Sequence, residues 1–476
     1  MRIVCIGAAP TSLGAAYRLN ELIGERNKEA ATTEIIILEK ESIAGGLSGT
    51  VEKDGFCWDL GVHITYHEGQ PYYEKAVRWA VEEWNQVTRN AMVDINYLYG
   101  EKGLHLVPYP AQFAVPLFPQ KEKESCLREL KDRYERIQDS NKAPPANFSE
   151  WVDDQFGPTI LRAFFEPYTR KVWSVEAKQM NHVWVGLRVA KLPQEKLEEL
   201  CALDPEQIKN VDFGWGGNAK FCYPKKGGMG SVWKSMAAKL PNEWFRYNSK
   251  VVNVDHVAKT VIYENEVGER REEAYDVLLS TGPIDQLIRD TKLTTPINVA
   301  CNKVIVVGVG LRKPIPPTLA NFTWLYFPDE TVPFFRLNIH SSFGDVTPDN
   351  DKYWSIMCES SRAIDDTCSE EEIRERVLEG LVRKSIIVME NVVSLWSITL
   401  PYGYPIPTIE RDAELTRAHS ELEKHSIFSR GRFGGWKYEV SNQDHCFIQG
   451  KEIVDRALFG VQEKMYKTGI IDSKQG

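Results

Sequence analysis

Two arginines stand inside otherwise apolar stretches, Arg188 in VGLRVA and Arg336 in PFFRLNI. A guanidinium keeps its charge and offers a fixed planar fork of donors, which suits the oxygens of a diphosphate. A structural salt bridge on a helix or strand is the other reading. A second signal lies at the start of the chain. GAAPTSLG, residues 7–14, approaches the G-x-G-x-x-G pattern of a dinucleotide loop, with Ala9 and Ser12 where glycines belong. Gly7 serves the tight turn, Ala9 adds one methyl where backbone meets a pyrophosphate, and Ser12 replaces the packing glycine. The Gly45–Gly46 pair in AGGLSG either lets backbone pass close to a ligand or marks an ordinary turn. His63 and His67 are four apart, the spacing of a helical metal pair, yet nothing nearby supplies a third ligand, so no metal is expected. No Ser, Cys or Lys arrangement reads as an activated nucleophile.

These residues need elements to hold them. The run RIVCIG leads into the glycine loop, LGAAYRLNELI follows at helical spacing, and TEIIILEK ends in Glu39. Strand, glycine turn, helix and acid-ended strand is the order in which a nucleotide fold meets a pyrophosphate and a ribose. A plain βα turn remains the alternative. From 121 to about 205 the pattern is helical. VDHVAKTVIYENEVGERREEAYDVLLST then reads as a β-meander leading into a buried strand. Alternating strands fill much of 301–410, followed by the helix SEEEIRERVLEGLVR within that span and a long helix from NQDH through KMY at the end. DSNKAPPAN is the only linker-like piece.

Composition narrows the class. The 476 residues are 42% hydrophobic and 26% charged, with a net charge of −9, and the pI is near 5.7. That acidity argues against a nucleic-acid or anionic-membrane surface. No apolar run approaches the roughly 18 residues of a membrane span, and IVCIG is too short for a signal-peptide core. Nine cysteines lie far apart without a C-x-x-C, so a reduced, cytoplasmic protein without a disulfide framework or zinc site is expected.

Several stretches occurring in one order carry a resemblance: LVPYPAQ, FFEPYTRKVWSV, VGLRVA, FGWGGNAKFCYPKKGGMGSVW, TWLYFPDETVPFFRLNI, YGYPIPTIER and SRGRFGGWKYEVSNQDHCF. Together they resemble the eukaryotic-type UDP-galactopyranose mutases over nearly the whole chain. The resemblance implies an α/β flavoprotein with an FAD-binding Rossmann-like domain, an inserted helical bundle and an antiparallel β-sheet domain. The corresponding boundaries are 1–90 with 225–300 and 425–470 for FAD, 115–205 for the bundle, and 91–114 with 206–224 and 301–424 for the substrate sheet. It implies a redox-neutral interconversion of the pyranose and furanose forms of an NDP-sugar. In that reaction N5 of reduced FAD attacks the anomeric carbon and displaces the nucleotide. NADPH or another reductant would keep the flavin reduced, and oligomers vary among such enzymes.

By the same resemblance Arg188 and Arg336 bind the diphosphate, with Tyr404 and Tyr438 hydrogen-bonding the same phosphates. Tyr109, Gln112, Thr169, Trp173 and Tyr326 fall at the uridine, while Asn218, Trp324 and Arg432 lie near the sugar and His63 beside the flavin N5. FAD would be held by Gly7, Ala9, Thr11, Ser12, Glu39, Gly45, Gly46, Leu47, Gly228, Asn442, Gln443 and Asp444, with a helix N-terminus after NQDH facing the flavin pyrimidine ring. Four departures stand out: the degenerate glycine loop; Val62 in place of a glycine; Ala111 and Thr169 in place of an aromatic and an asparagine in the base pocket; and YLYGEKGLHL where an arginine for NADPH is usual. Three function classes therefore remain: a mutase for UDP-galactose or another NDP-sugar, an oxidoreductase of the amine-oxidase or protoporphyrinogen-oxidase type, and a catalytically silent sugar-nucleotide binder.

Overall fold

The short β-branched runs RIVCI and EIIIL become neighbouring parallel strands, Arg2–Ile6 and Glu34–Leu38. The computed structural model describes residues 1–66, 69–100, 103–136, 143–186, 188–208 and 220–467. Around those two strands a five-stranded parallel sheet is completed by Val277–Ser280, Ile427–Ser429 and Phe245–Arg246. Its strands come from the beginning, the middle and the end of the chain. The expected meander is present as Lys250–Asp255, Thr260–Glu264 and Arg270–Ala274, and it leads into the wholly buried strand Val277–Ser280.

The larger sheet runs in the order Val392–Leu400, Ala300–Arg312, Tyr353–Ala363, Arg336–Asn338, Trp324–Tyr326, Ala91–Asp94 and Leu106–Pro108. Its pairs are antiparallel except for Trp324–Tyr326 beside Ala91–Asp94. The sheet is thus mixed at one join. The helical region contains Gln120–Arg136, Phe148–Phe156 and Gln194–Ala202 among its helices. Part of DSNKAPPAN, residues 139–142, falls outside the described residues.

Three helices position the site. Helix α1 is Pro10–Gly24, α2 is Glu166–Trp173, and α3 is Gln443–Phe459. The sequence pattern carries the last helix on to KMY, but α3 stops at Gly460, which takes a left-handed φ of 67° where a helix ends without Cβ strain. Helices α1 and α3 cross in direct backbone contact. A Cβ on Gly14 would lie 2.0 Å from the Phe447 carbonyl oxygen, and one on Gly450 would lie 1.7 Å from that of Thr11. Position 12 itself is a fully buried serine, and Gly14 and Gly450 serve a different contact, that of α1 with α3. Among the described residues no helix is long and apolar enough to cross a membrane.

Gly450→Ala should lower stability by about 1–3 kcal/mol, the cost of forcing atoms into a filled contact. Urea denaturation of the variant checks this; a wild-type midpoint would contradict the contact.

Candidate active site

At one end of the site the glycine loop is held by backbone bonds. Gly7 has φ 88°, its amide donates to the Leu38 carbonyl at 2.8 Å, and the Gly45 amide donates to Ala8 at 2.9 Å. Gly45 and Gly46 have φ values of 130° and 52°. A Cβ on Gly46 would come within 3.1 Å of the Ala9 methyl. The two turns thus form a cradle of bare backbone. Ala9 caps α1 without any side-chain hydrogen bond, and Thr11 and Ser12 lie buried in the first turn. A helix start of this kind presents amide donors and a partial positive charge suited to phosphate.

Glu39 is buried at the strand end, and its carboxylate accepts from the amides of Ala8 at 2.6 Å and Glu41 at 2.9 Å. Burial raises its proton affinity, opposed by those two amides. Each oxygen retains a lone pair for a ribose hydroxyl. Leu47 is partly buried against the cluster containing Val4, Ile36 and Trp436. Gly228, at φ 70°, lies against Thr50 and Asp59. Two residues beyond it begins the helix Gly230–Lys239. That helix buries Trp233, whose indole donates to Gln443 at 2.8 Å. A Cβ on Gly45 would also touch Trp233 at 3.7 Å. Trp233, which the sequence reading passed over, therefore ties the cradle to the start of α3. These features fit FAD: bare-backbone turns and an uncapped helix start for its phosphates, and a buried carboxylate for its ribose.

The start of α3 carries the second half of the site. Asn442 is its cap but makes no capping bond. Its side-chain oxygen instead accepts from Arg188 at 3.0 Å, and Gln443 donates to the Ile64 carbonyl at 3.3 Å. Asp444 lies in the first turn of α3, 3.8 Å from His445. The Gln443 bond draws the 61–64 segment, and with it His63, to the helix. His63 Nδ1 is 3.0 Å from the Gly61 carbonyl. A carbonyl only accepts, so Nδ1 carries the proton and Nε2 is left as an acceptor. Burial, then the charge of Arg432, lowers the His63 pKa to about 4, with Glu359 opposing. His67 lies outside the described residues, and among the described residues no group of His, Cys, Asp and Glu could hold a metal.

The charged and aromatic residues converge here. Arg188 lies over the Tyr438 ring at 5.0 Å, and Arg432 over Tyr404 at 5.1 Å and Tyr438 at 5.9 Å. Arg432 also donates to the Gly403 carbonyl and Ser441 hydroxyl, both at 3.1 Å. Tyr404 and Tyr438 are 6.0 Å apart, and Trp173 meets them edge-on at 5.4 and 4.8 Å. Arg336 pairs with Glu359 at 2.5 Å, which keeps it charged despite its burial, with Tyr404, Tyr326 and Tyr168 as electrostatic neighbours. The other oxygen of Glu359 accepts from the Val62 amide at 2.7 Å. Glu359 was not foreseen, although an acid in the apolar strand YWSIMCESSRA was visible. Only the register, which sets it opposite Arg336, gives it a partner.

The remaining aromatics form the far end. Tyr109 and Tyr326 stack at 4.6 Å. Arg89, also unforeseen, lies over Tyr109 and Trp324 and donates to the Tyr326 hydroxyl at 2.6 Å. Trp324 is buried among Phe221 and Phe343. Gln112 is buried, its amide nitrogen donating to the Ala190 carbonyl at 2.7 Å. Thr169 is buried on α2, and Ala111 is wholly buried, presenting no face to a ligand. Asn218 lies outside the described residues.

Residues 13–382 match the sequence model of the flavin-containing amine oxidoreductases, and the mixed α/β architecture is that of a flavin-binding fold. The solved structure of a reduced UDP-galactopyranose mutase is 34% identical, with 97% of this chain and 96% of that one covered and a TM-score of 0.85. This chain, a flavoprotein of the amine oxidoreductase class, belongs to the UDP-galactopyranose mutase family. The fold is shared more widely. A proposed protoporphyrinogen oxidase from Exiguobacterium sp. 255-15 is 16% identical with a TM-score of 0.69 over 97% of this chain and 99% of that one. A conjugated-linoleic-acid-producing fatty acid isomerase from P. acnes is 15% identical, with a TM-score of 0.59 and the same coverages.

Because the folded pKa of His63, about 4, lies below the ordinary 6.5, the unfolded chain binds the extra proton first as pH falls. Its contribution to stability is present above pH 6.5 and is lost as pH falls from there towards 4. An NMR titration should find His63 neutral at pH 6. Arg432→Ala should raise its pKa and Glu359→Gln lower it; an ordinary value in the wild type would refute the placement.

Proposed function

We propose that the protein is an FAD-dependent mutase interconverting the pyranose and furanose forms of an NDP-sugar, with UDP-galactose the leading substrate. The observation that carries this reading is the convergence of Arg188, Arg336 and Arg432 on Tyr404 and Tyr438, beside the start of α3. Fixed guanidinium forks and phenol hydroxyls suit a diphosphate. An oxidase acting on an amine or an apolar substrate would have no use for them.

Bound, reduced FAD would supply the nucleophile at the anomeric carbon. The chain's own residues supply the rest. Arg188 and Arg336 would take up the charge that appears on the diphosphate as its bond to the sugar breaks, and return it as that bond re-forms. Glu359 orients Arg336 and pins the Val62 amide, which fixes the segment bearing His63. With Nδ1 committed to Gly61, Nε2 of His63 is an acceptor for a donor on flavin or sugar. Trp173, enclosed by Trp184, Tyr404 and Tyr438, backs the phosphate tyrosines.

The base would stack against the Tyr109–Tyr326 pair. Gln112 commits one amide N–H to Ala190, which fixes the group and leaves its oxygen to accept a ring N–H beside a carbonyl, a feature that uracil and guanine share. Ala111 and Thr169 add neither a ring nor an amide. The base is therefore the least determined part of the substrate, and another NDP-sugar is the second reading. Competition between UDP and GDP, followed by tryptophan fluorescence, separates the two: a stronger response to UDP supports uridine, and a stronger response to GDP supports the second reading.

The purified, FAD-loaded protein should convert UDP-galactofuranose to UDP-galactopyranose only after reduction with dithionite, as read by chromatography. Arg336→Ala should reduce turnover by about 10²–10³-fold, the usual loss when a donor to developing charge is removed, and keep the flavin absorbance. Oxygen-consuming turnover without ring interconversion would sink the proposal; loss of flavin in the variant would show that Arg336 serves the cofactor.

A further inference from the structure

A second cavity, of about 640 Å³, opens between the C-terminal end of α2, the following loop 174–179 and the end of the long strand Tyr353–Ala363. None of the residues assigned to the active site lines it. Arg170, Lys171 and Lys178 form one side; Ser361, Arg362 and Arg376 form the other. The three carboxylates of its wall are engaged already. Glu176 pairs with Lys178 at 2.6 Å, Glu330 with Arg170 at 2.9 Å, and Asp366 accepts from the Cys368 amide at 2.8 Å.

Arg362 and Arg376 are different. Among the described residues neither has an ion-pair partner. Nε and Nη2 of Arg362 are buried without a hydrogen bond, and so is the hydroxyl of Ser361, a residue 7% exposed. Burial, then the like charge of Arg376, lowers the proton affinity of Arg362. Asp366 opposes the Arg362 charge without forming an ion pair, and its carboxylate already accepts from Cys368. The two half-buried to exposed guanidiniums therefore carry more positive charge than their wall balances, an arrangement that a bound anion would complete.

We propose that this cavity binds a small phosphate-bearing anion that neutralises Arg362 and Arg376. Its volume falls within the roughly 300–1,000 Å³ of small-molecule sites, well beyond what a free phosphate ion fills, so the occupant is a phosphate ester of a small metabolite. The cavity also touches the active site through Lys171. Its ammonium donates to the carbonyls of Asp329 and Phe334, both at 2.6 Å. Those carbonyls belong to the loop joining the strands of Tyr326 and Arg336, and Lys171 shares α2 with Thr169 and Trp173. Occupancy of the cavity therefore bears on the wall of the nucleotide site.

Calorimetric titration of the FAD-loaded Arg336→Ala protein with inorganic pyrophosphate tests the site with the diphosphate clamp weakened, so the result does not depend on the mutase reading. Pyrophosphate should bind there, and adding Arg362→Met with Arg376→Met should weaken it at least tenfold. Arg376→Glu alone, at an exposed position on the helix Glu370–Arg383, should weaken it likewise without disturbing the core. Unchanged isotherms in both would overturn the proposal. Glycerol 3-phosphate should bind more tightly than inorganic phosphate; equal affinities would overturn the assignment to an ester. Hydrogen exchange of residues 326–336 should slow on binding, and unaltered exchange would overturn the coupling through Lys171.

Discussion

The site depends on how closely α1 and α3 approach each other. Hydrogen at Cα of Gly14 and Gly450, where any other residue carries carbon, lets one helix backbone lie on the other. That contact brings two helix starts into one region, though they are separated by more than 400 residues of chain. One start faces the glycine cradle; the other receives Arg188, Trp233 and the His63 segment. Moving the helices apart by the width of a methyl group would separate the cradle from the arginines.

Around this contact the charges are arranged in tiers. Arg336 is balanced by Glu359, whereas Arg188 and Arg432 are met by carbonyls, an amide oxygen, a hydroxyl and aromatic faces. Neutral partners orient a guanidinium without cancelling its charge, which leaves it available to an anion. His63, held neutral by burial and then by Arg432 against the pull of Glu359, adds no positive charge of its own. The region is electropositive by design of its partners, within a chain whose net charge is −9.

Much of this was legible in the sequence, and the reasons differ by residue. The strand–turn–helix at the N-terminus was readable because its signals are local: β-branched runs, a glycine at the turn and an acid at the strand end. The arginines stood out because a charge within an apolar stretch needs a partner. Glu359, Trp233 and Arg89 were invisible because their meaning lies in register and packing across hundreds of residues. The substitution at Ser12 looked like a defect. Ser12 is nevertheless accommodated in full burial, and the close approach of α1 falls instead at Gly14 and at Gly450 in another helix, a pairing that no window of adjacent residues contains. The end of α3 at Gly460 shows the converse: a helical pattern continued in the letters, but a left-handed glycine ended it.

The parallel sheet also has a consequence for how the molecule comes into being. Its edge strand Ile427–Ser429 and helix α3 lie far later in the chain than the strand and the helix they cover, Val277–Ser280 and α1. Until they emerge, Val277–Ser280 has one open side and α1 lacks the helix that lies against Gly14. Contacts of such long sequence separation close slowly, and exposed strand edges invite association in the interval. The first three hundred residues therefore cannot close their sheet or bury helix α1 against its partner by themselves: both wait on residues 427–459, so the two regions fold as one unit or not at all.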